Sequence, residues 1–260
     1  MRYVRCLLFI LCITVYLALP TNTQAENLRF TTIDYCPFSC DPIKENGREG
    51  FMTDILRAAL EEAGHSIDIT LLPYLRSVNA VVSGEYDGII VIGQENAPDL
   101  IYPDISIGVQ RIAFFTRAES DWQYSGVASL SDVTVAIVSG YDYIDSDLNR
   151  YFAEHIESDR VVVLHGKSTV ERGIKMLQNN RIDSYFEGEY SILYTLEKLG
   201  IRNQISIAGY SSEEFTDITG FSLHNPNSTE YAQILSDKIR EMKRSGEYQR
   251  LLKSYGITMD

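Results

Sequence analysis

Twice along the chain, short runs of β-branched residues alternate with segments of helical period. The first series is Leu28–Ile33, Phe51–Ala63, Ile67–Leu72, Tyr74–Gly84 and Tyr86–Gly93. The second is Val133–Val138, a polar stretch carrying Leu148, Tyr151 and Phe152, then Val161–Leu164, Val170–Asn179, Arg181–Phe186 and Glu189–Leu199. Strand–helix alternation of this kind specifies α/β units, each with a mainly parallel sheet covered by helices. Its repetition in a chain of 260 residues predicts two small lobes rather than one large core. Sheets of this type bind ligands beyond the carboxyl ends of their strands. Those ends carry Tyr35 and Phe38, Tyr74 and Arg76, and Gly93 and Gln94 in the first series. In the second, Val138 runs directly into Ser139-Gly140-Tyr141, a strand-to-helix turn with free backbone N–H groups.

The chain opens with Met1-Arg2-Tyr3-Val4-Arg5, an apolar run from Cys6 to Leu19, and Thr21-Asn22-Thr23-Gln24-Ala25. A basic start, an apolar middle and a small residue before the expected cut predict a signal peptide over residues 1–25. The apolar run is short for a membrane span, so removal and release into the periplasm of a Gram-negative cell are expected, with no stable membrane insertion. Cleavage would remove Arg2 and Arg5 and no acid, taking the net charge from −13 to −15. Such an acidic surface argues against nucleic acid and anionic membranes as partners and favours a soluble monomer. Cys36 and Cys40 would remain; in an oxidising compartment a disulfide is the first expectation, with free thiols or a catalytic pair as alternatives. Four histidines show no metal spacing, and no cofactor motif is present: Gly166-Lys167-Ser168 lacks the upstream glycines of a phosphate loop.

Four further elements occur in order. They are Gly50-Phe51-Met52-Thr53-Asp54-Ile55, Asn180-Arg181-Ile182-Asp183-Ser184, Phe221-Ser222-Leu223 before Asn225-Pro226, and Gly246-Glu247-Tyr248 running to Tyr255-Gly256. In this set, from about Leu28 to Gly256, the chain resembles the bacterial extracellular solute-binding proteins of family 3, which include the polar amino-acid binders of ABC importers. The resemblance implies a two-lobe periplasmic binding protein fold of type II. Residues 26–112 and 212–260 would form one lobe and 113–211 the other, with hinges near 112–116 and 206–211. It implies a ligand held in the cleft, no chemistry, and delivery to an ABC permease. The alternatives are a sensing module acting in trans on a receptor or kinase and, more remotely, a dehydratase or lyase on the same fold.

The family's carboxylate-holding arginine after the third strand is missing: Ile92-Gly93-Gln94-Glu95-Asn96-Ala97-Pro98 contains none. The family's ammonium-holding acid would fall at Gly188, between Glu187 and Glu189. The expected ligand is accordingly a small polar or anionic solute, amino-acid-like or an organic acid. Arg76, with five donors suited to a carboxylate, would stand in for the missing arginine. Tyr35, Phe38 and Tyr74 would form an aromatic wall, and Tyr141 and Tyr143 would close over the ligand. Gly93, Gln94, Ser139, Gly140 and Ser168 would add contacts, and Glu187 would meet a ligand cation.

Overall fold

The computed structural model describes residues 25–141, 143 and 145–257, with 108–110 and 212–215 described by their backbone only. The expected signal peptide lies outside the described residues. Among those described, no helix is long and apolar enough to cross a membrane.

The first series folds as β1 (Asn27–Thr32), α1 (Phe51–Glu62), β2 (Ser66–Leu71), α2 (Tyr74–Val82) and β3 (Gly88–Gly93). β1 pairs in parallel with β2 on one side and β3 on the other. All six residues of β3 are buried, as expected of a strand covered on both faces. α1 buries Ile55, Leu56, Ala59 and Leu60, the side its period assigns to the core. Gly50 caps its start with φ of 95°, and a Cβ there would stand 2.5 Å from the Ser39 Cα, so only glycine lets the cysteine loop lie against this helix. That loop is closed by the Cys36–Cys40 disulfide.

The second series folds as β5 (Val135–Val138), α3 (Ser146–His155), β6 (Val161–Leu164), α4 (Thr169–Gln178), β7 (Ser184–Gly188) and α5 (Glu189–Lys198). β5 lies in parallel between β6 and β7. Asp145 starts α3 by accepting bonds from the Asp147 and Leu148 amides, a side-chain cap of the ordinary kind.

Two long antiparallel strands join the groups: β4 (Gly108–Arg117) and β8 (Ile205–Phe221). The strand order is β2-β1-β3-β8-β4-β7-β5-β6. By local pattern, Ile205–Tyr210 and Thr219–Leu223 read as two separate segments, a crossover and a strand. These are one strand, ending at Phe221 and leaving Leu223 exposed. Its continuity comes from a change of partner: residues 205–217 pair with β4, and 217–221 pair with β3. Helices α6 (Ser228–Ser245) and α7 (Glu247–Ser254) close the chain, α6 packing beside α1. The result is the two-lobe periplasmic binding protein fold, two parallel strand groups flanked by helices and linked by antiparallel strands.

Candidate ligand-binding cleft

The carboxyl ends of the two parallel groups meet at a small, partly open cavity of about 30 Å³. From the first group come Ile33 and Tyr35 after β1, Tyr74 at the start of α2, Val91, Ile92 and Gly93 at the end of β3, and Asn96 just beyond. From the second come Tyr141 and Tyr143 after β5 and Glu187 on β7. The linking strands add Ile112 and Asp217. The space admits little more than a water molecule or two, so anything of amino-acid size must move the walls apart.

Glu187 is the chemical centre of this cavity. Its side chain is 1% exposed. Oε1 accepts from the Tyr35 hydroxyl at 3.2 Å and from the Gly188 amide at 2.7 Å, and Oε2 accepts from the Tyr185 hydroxyl at 2.9 Å. Burial pushes the carboxyl up to about 7, outweighing these three donors, each of which favours the ionised form. The Tyr35 contact is long in sequence and joins the end of β1 to β7, so it spans the two groups. Burial, then the adjacent Glu187 charge, holds the Tyr141, Tyr143 and Tyr185 phenols well above their usual range, and they stay protonated donors.

The rings pack edge to face. Tyr141 meets Tyr74 at 4.9 Å and 73°, Tyr35 at 6.5 Å and 87°, and Tyr143 at 6.0 Å and 61°. Gly140 makes this approach possible. Its φ is 83°, and a Cβ would stand 2.5 Å from Leu75 of α2.

Of the residues singled out in the sequence, Tyr35, Tyr74, Gly93, Tyr141 and Glu187 line the cavity, and Gly140 supports its rim. Others lie elsewhere. Arg76 is exposed on α2, makes no hydrogen bond or ion pair with a described residue, and does not line the cavity. Gln94 is exposed at the surface beyond β3. Phe38 is 1% exposed and belongs to the core, stacked on Tyr35 and tilted against Phe51. The Ser139–Tyr141 turn has spent two amides internally: Ser139 donates to the Leu164 carbonyl and Tyr141 to that of Val138. Ser168 starts α4 in a neighbouring recess of about 160 Å³, where it accepts from Lys44, itself paired with Asp34 at 2.6 Å. Glu189 turns away from the cavity and pairs with Arg111 at 3.1 Å in a wide groove between α5 and α7.

No lysine, arginine or histidine is among the described residues lining the cavity. The anionic half of the sequence expectation therefore lacks the cation it needed. Asp217 and Asn96 were not foreseen. Asp217 sits in a run of alternating type, Thr216-Asp217-Ile218-Thr219, where it reads as an outward polar position. Only the pairing of β8 between β3 and β4, which sets Asp217 opposite both Gly93 and Gly108, brings it to the cavity.

The model of the bacterial extracellular solute-binding proteins, family 3, matches residues 29–258. The chain belongs to this family. No curated protein sequence matches it. Among solved structures, this family 3 protein is similar to a histidine kinase sensor domain with similarity to periplasmic binding proteins, at 18% identity and a TM-score of 0.70, over 88% of this chain and 95% of that one. It is also similar to a mutant of ArgBP from T. maritima, at 19% identity and a TM-score of 0.70, over 88% and 94%. A third is the ancestral amino acid-binding protein AncCDT-1, a precursor of cyclohexadienyl dehydratase, at 16% identity and a TM-score of 0.66, over 88% and 94%. At these identities the likeness is one of fold.

Proposed function

We propose that this family 3 protein works in the periplasm, captures a small polar solute between two lobes and delivers it to an ABC importer. One lobe comprises residues 26–112 and 212–260, the other residues 113–211, with bending near 112–116 and 206–211 on the two linking strands. The observation that carries the reading is the Tyr35–Glu187 bond across a cavity built from the carboxyl ends of both parallel groups. Solute entering between the groups would contact both at once, so binding and closure are the same event. Family membership and the likeness to ArgBP support this. The chain itself performs no reaction in this reading. Glu187 is a buried acid at the cavity, and its three hydrogen bonds hold it as a fixture of the wall rather than aim it at a bound molecule.

The likeness to a histidine kinase sensor domain favours a second reading, in which the closed form is read by a receptor in trans. A thermal-shift screen over amino acids, amines, sugars and organic acids tests the site, because a ligand that binds only the folded state raises its melting temperature. Small-angle scattering with the best compound tests closure. Loss of uptake of that compound in a deletion strain supports import; intact uptake with a lost transcriptional response supports sensing. A screen in which no compound shifts the melting temperature would sink both.

A further inference from the structure

We propose that the Cys36–Cys40 disulfide is a redox switch on closure: while it is intact the loop it closes clasps the second strand group, and its reduction by a dithiol allows the two groups to part. The inference rests on the closure reading above and adds what sets the resting state.

The loop after β1 is where the first group takes hold of the second. Inside the disulfide ring, Phe38 tilts against Tyr190 of α5, with ring centroids 6.3 Å apart. Just before the ring, Tyr35 donates to Glu187 of β7 at 3.2 Å. Just beyond it, Lys44 donates to the Ser168 hydroxyl at 2.8 Å. Glu45 accepts from the Tyr194 hydroxyl at 2.8 Å and from Lys198. Four side-chain hydrogen bonds thus cross from residues 35–45 to the second group. α2 adds packing, with Tyr74 on Tyr141 and Leu75 beside Gly140.

Partly exposed polar contacts of this kind are weak one by one. They count when the groups that make them are fixed beforehand, so that little freedom is lost as they form. The ring is anchored to α1: the Phe51 amide donates to the Pro37 carbonyl and the Met52 amide to that of Phe38, each at 3.0 Å. The turn that carries Lys44 and Glu45 is folded on itself, both amides donating to the Asp41 carbonyl at 3.0 and 3.1 Å. Cys40, 3% exposed, stands between ring and turn. Its sulfur ties it to the ring, and its amide closes the base of the turn by donating to the Glu49 carbonyl at 2.8 Å. Without the sulfur link the turn hangs on backbone bonds alone, and the clasp loses its position while keeping its chemistry.

The clasp also covers the disulfide. Cys36 is half-buried and opens onto a recess of about 20 Å³, whose other walls include Lys44, Glu45, Ser168, Tyr194 and Lys198. A space of this size takes about one water molecule, so a reductant reaches the sulfur only as the clasp loosens. The step is an exchange. A thiolate of the dithiol attacks Cys36 Sγ, the Cys36–Cys40 bond breaks, and Cys40 leaves as a thiolate. The second thiolate of the reductant attacks its own sulfur in the mixed disulfide and releases Cys36. Two electrons pass to the pair, both cysteines take up the two protons the dithiol gave up, and the dithiol ends as a disulfide.

The test uses the mature chain without ligand, and dithiothreitol as the dithiol. Small-angle scattering should give a larger radius of gyration after reduction, and reoxidation should restore the smaller one. In Lys44→Ala with Glu45→Gln, whose clasp is already gone, reduction should add little. Trapping of free thiols should show this oxidised variant being reduced several-fold faster than wild type. That comparison needs no folded reduced protein, and it alone decides if circular dichroism shows that reduction unfolds the chain. An unchanged radius in reduced wild type, an equal increase in wild type and variant, or equal reduction rates each overturns the inference. If reduced wild type stays compact while the oxidised variant opens, lobe closure stands without the switch. A radius that no form changes counts against closure as well.

Discussion

Replacing Glu187 with glutamine should stabilise the unliganded protein by an amount that grows as pH rises from about 4.5 and levels off above about 7. The carboxyl is displaced from an ordinary 4.5 to about 7 by burial. An acid whose folded value is raised holds its proton more tightly in the folded chain than in the unfolded one. Its contribution to stability is thus fully present below about pH 4.5 and is lost as pH rises through about 7. Each unit between the two values is worth about 1.4 kcal/mol, so by pH 8 the buried charge costs the native state ~3 kcal/mol. The amide mimics the protonated acid: one oxygen to accept from Tyr35 and Gly188, one donor to meet the Tyr185 hydroxyl. Urea denaturation of wild type and Glu187→Gln, at pH 4.5, 6, 7 and 8 without ligand, isolates this group from the many other carboxylates, which are common to both. The two proteins should be nearly equal at pH 4.5. The variant should gain steadily until it leads by ~3 kcal/mol at pH 8. A difference that does not change with pH, or a wild type that is the more stable at pH 8, refutes the account of Glu187 as a buried acid held against its charge.

Gly173 lies inside α4 against Tyr185, and a Cβ there would stand 2.3 Å from the ring, so Gly173→Ala should cost about 1–3 kcal/mol in urea denaturation. A smaller effect would mean that the Tyr185 ring moves aside and is not fixed beneath Glu187. Lys44 bonds Ser168, and Glu45 meets both Tyr194 and Lys198, so adjacent residues of the loop after the disulfide hold two points on the second strand group. These contacts are partly exposed and together worth ~1 kcal/mol. Lys44→Ala with Glu45→Gln should therefore raise the unliganded radius of gyration in small-angle scattering; an unchanged radius counts against the loop as a clasp.

Most of the fold could be read from the sequence because parallel strands buried on both faces leave an unmistakable trace: β3, Gly88–Gly93, is apolar throughout. The division of β8 into two pieces had a physical cause. The strand carries Ser211–Glu214 in its middle, polar enough to read as a break, and it is held together by partners remote in the chain. The site was half legible for the same reason. Tyr35, Tyr74, Tyr141 and Gly93 stand where strands end, a position the local pattern marks. Arg76 follows Tyr74 by two residues on one helix, and two helical positions apart means about 200° around the axis, so a helix that turns Tyr74 to the cavity turns Arg76 to solvent. Asp217 reaches the cavity by register alone, which no local feature encodes.

The long reach of β8 also bears on how the chain can fold. β3 is paired on one side with β1, but its other edge takes Phe221 opposite Gly88 and Asp217 opposite Gly93, residues made far later. α6, which covers α1, comes later still. A ribosome that has delivered only the first series has delivered an apolar strand with an open edge, the arrangement most prone to pair with a neighbouring chain. The first group cannot be sealed until nearly the whole protein exists, so its folding is a late event, and any factor that shields nascent chains has its natural target at Gly88–Gly93.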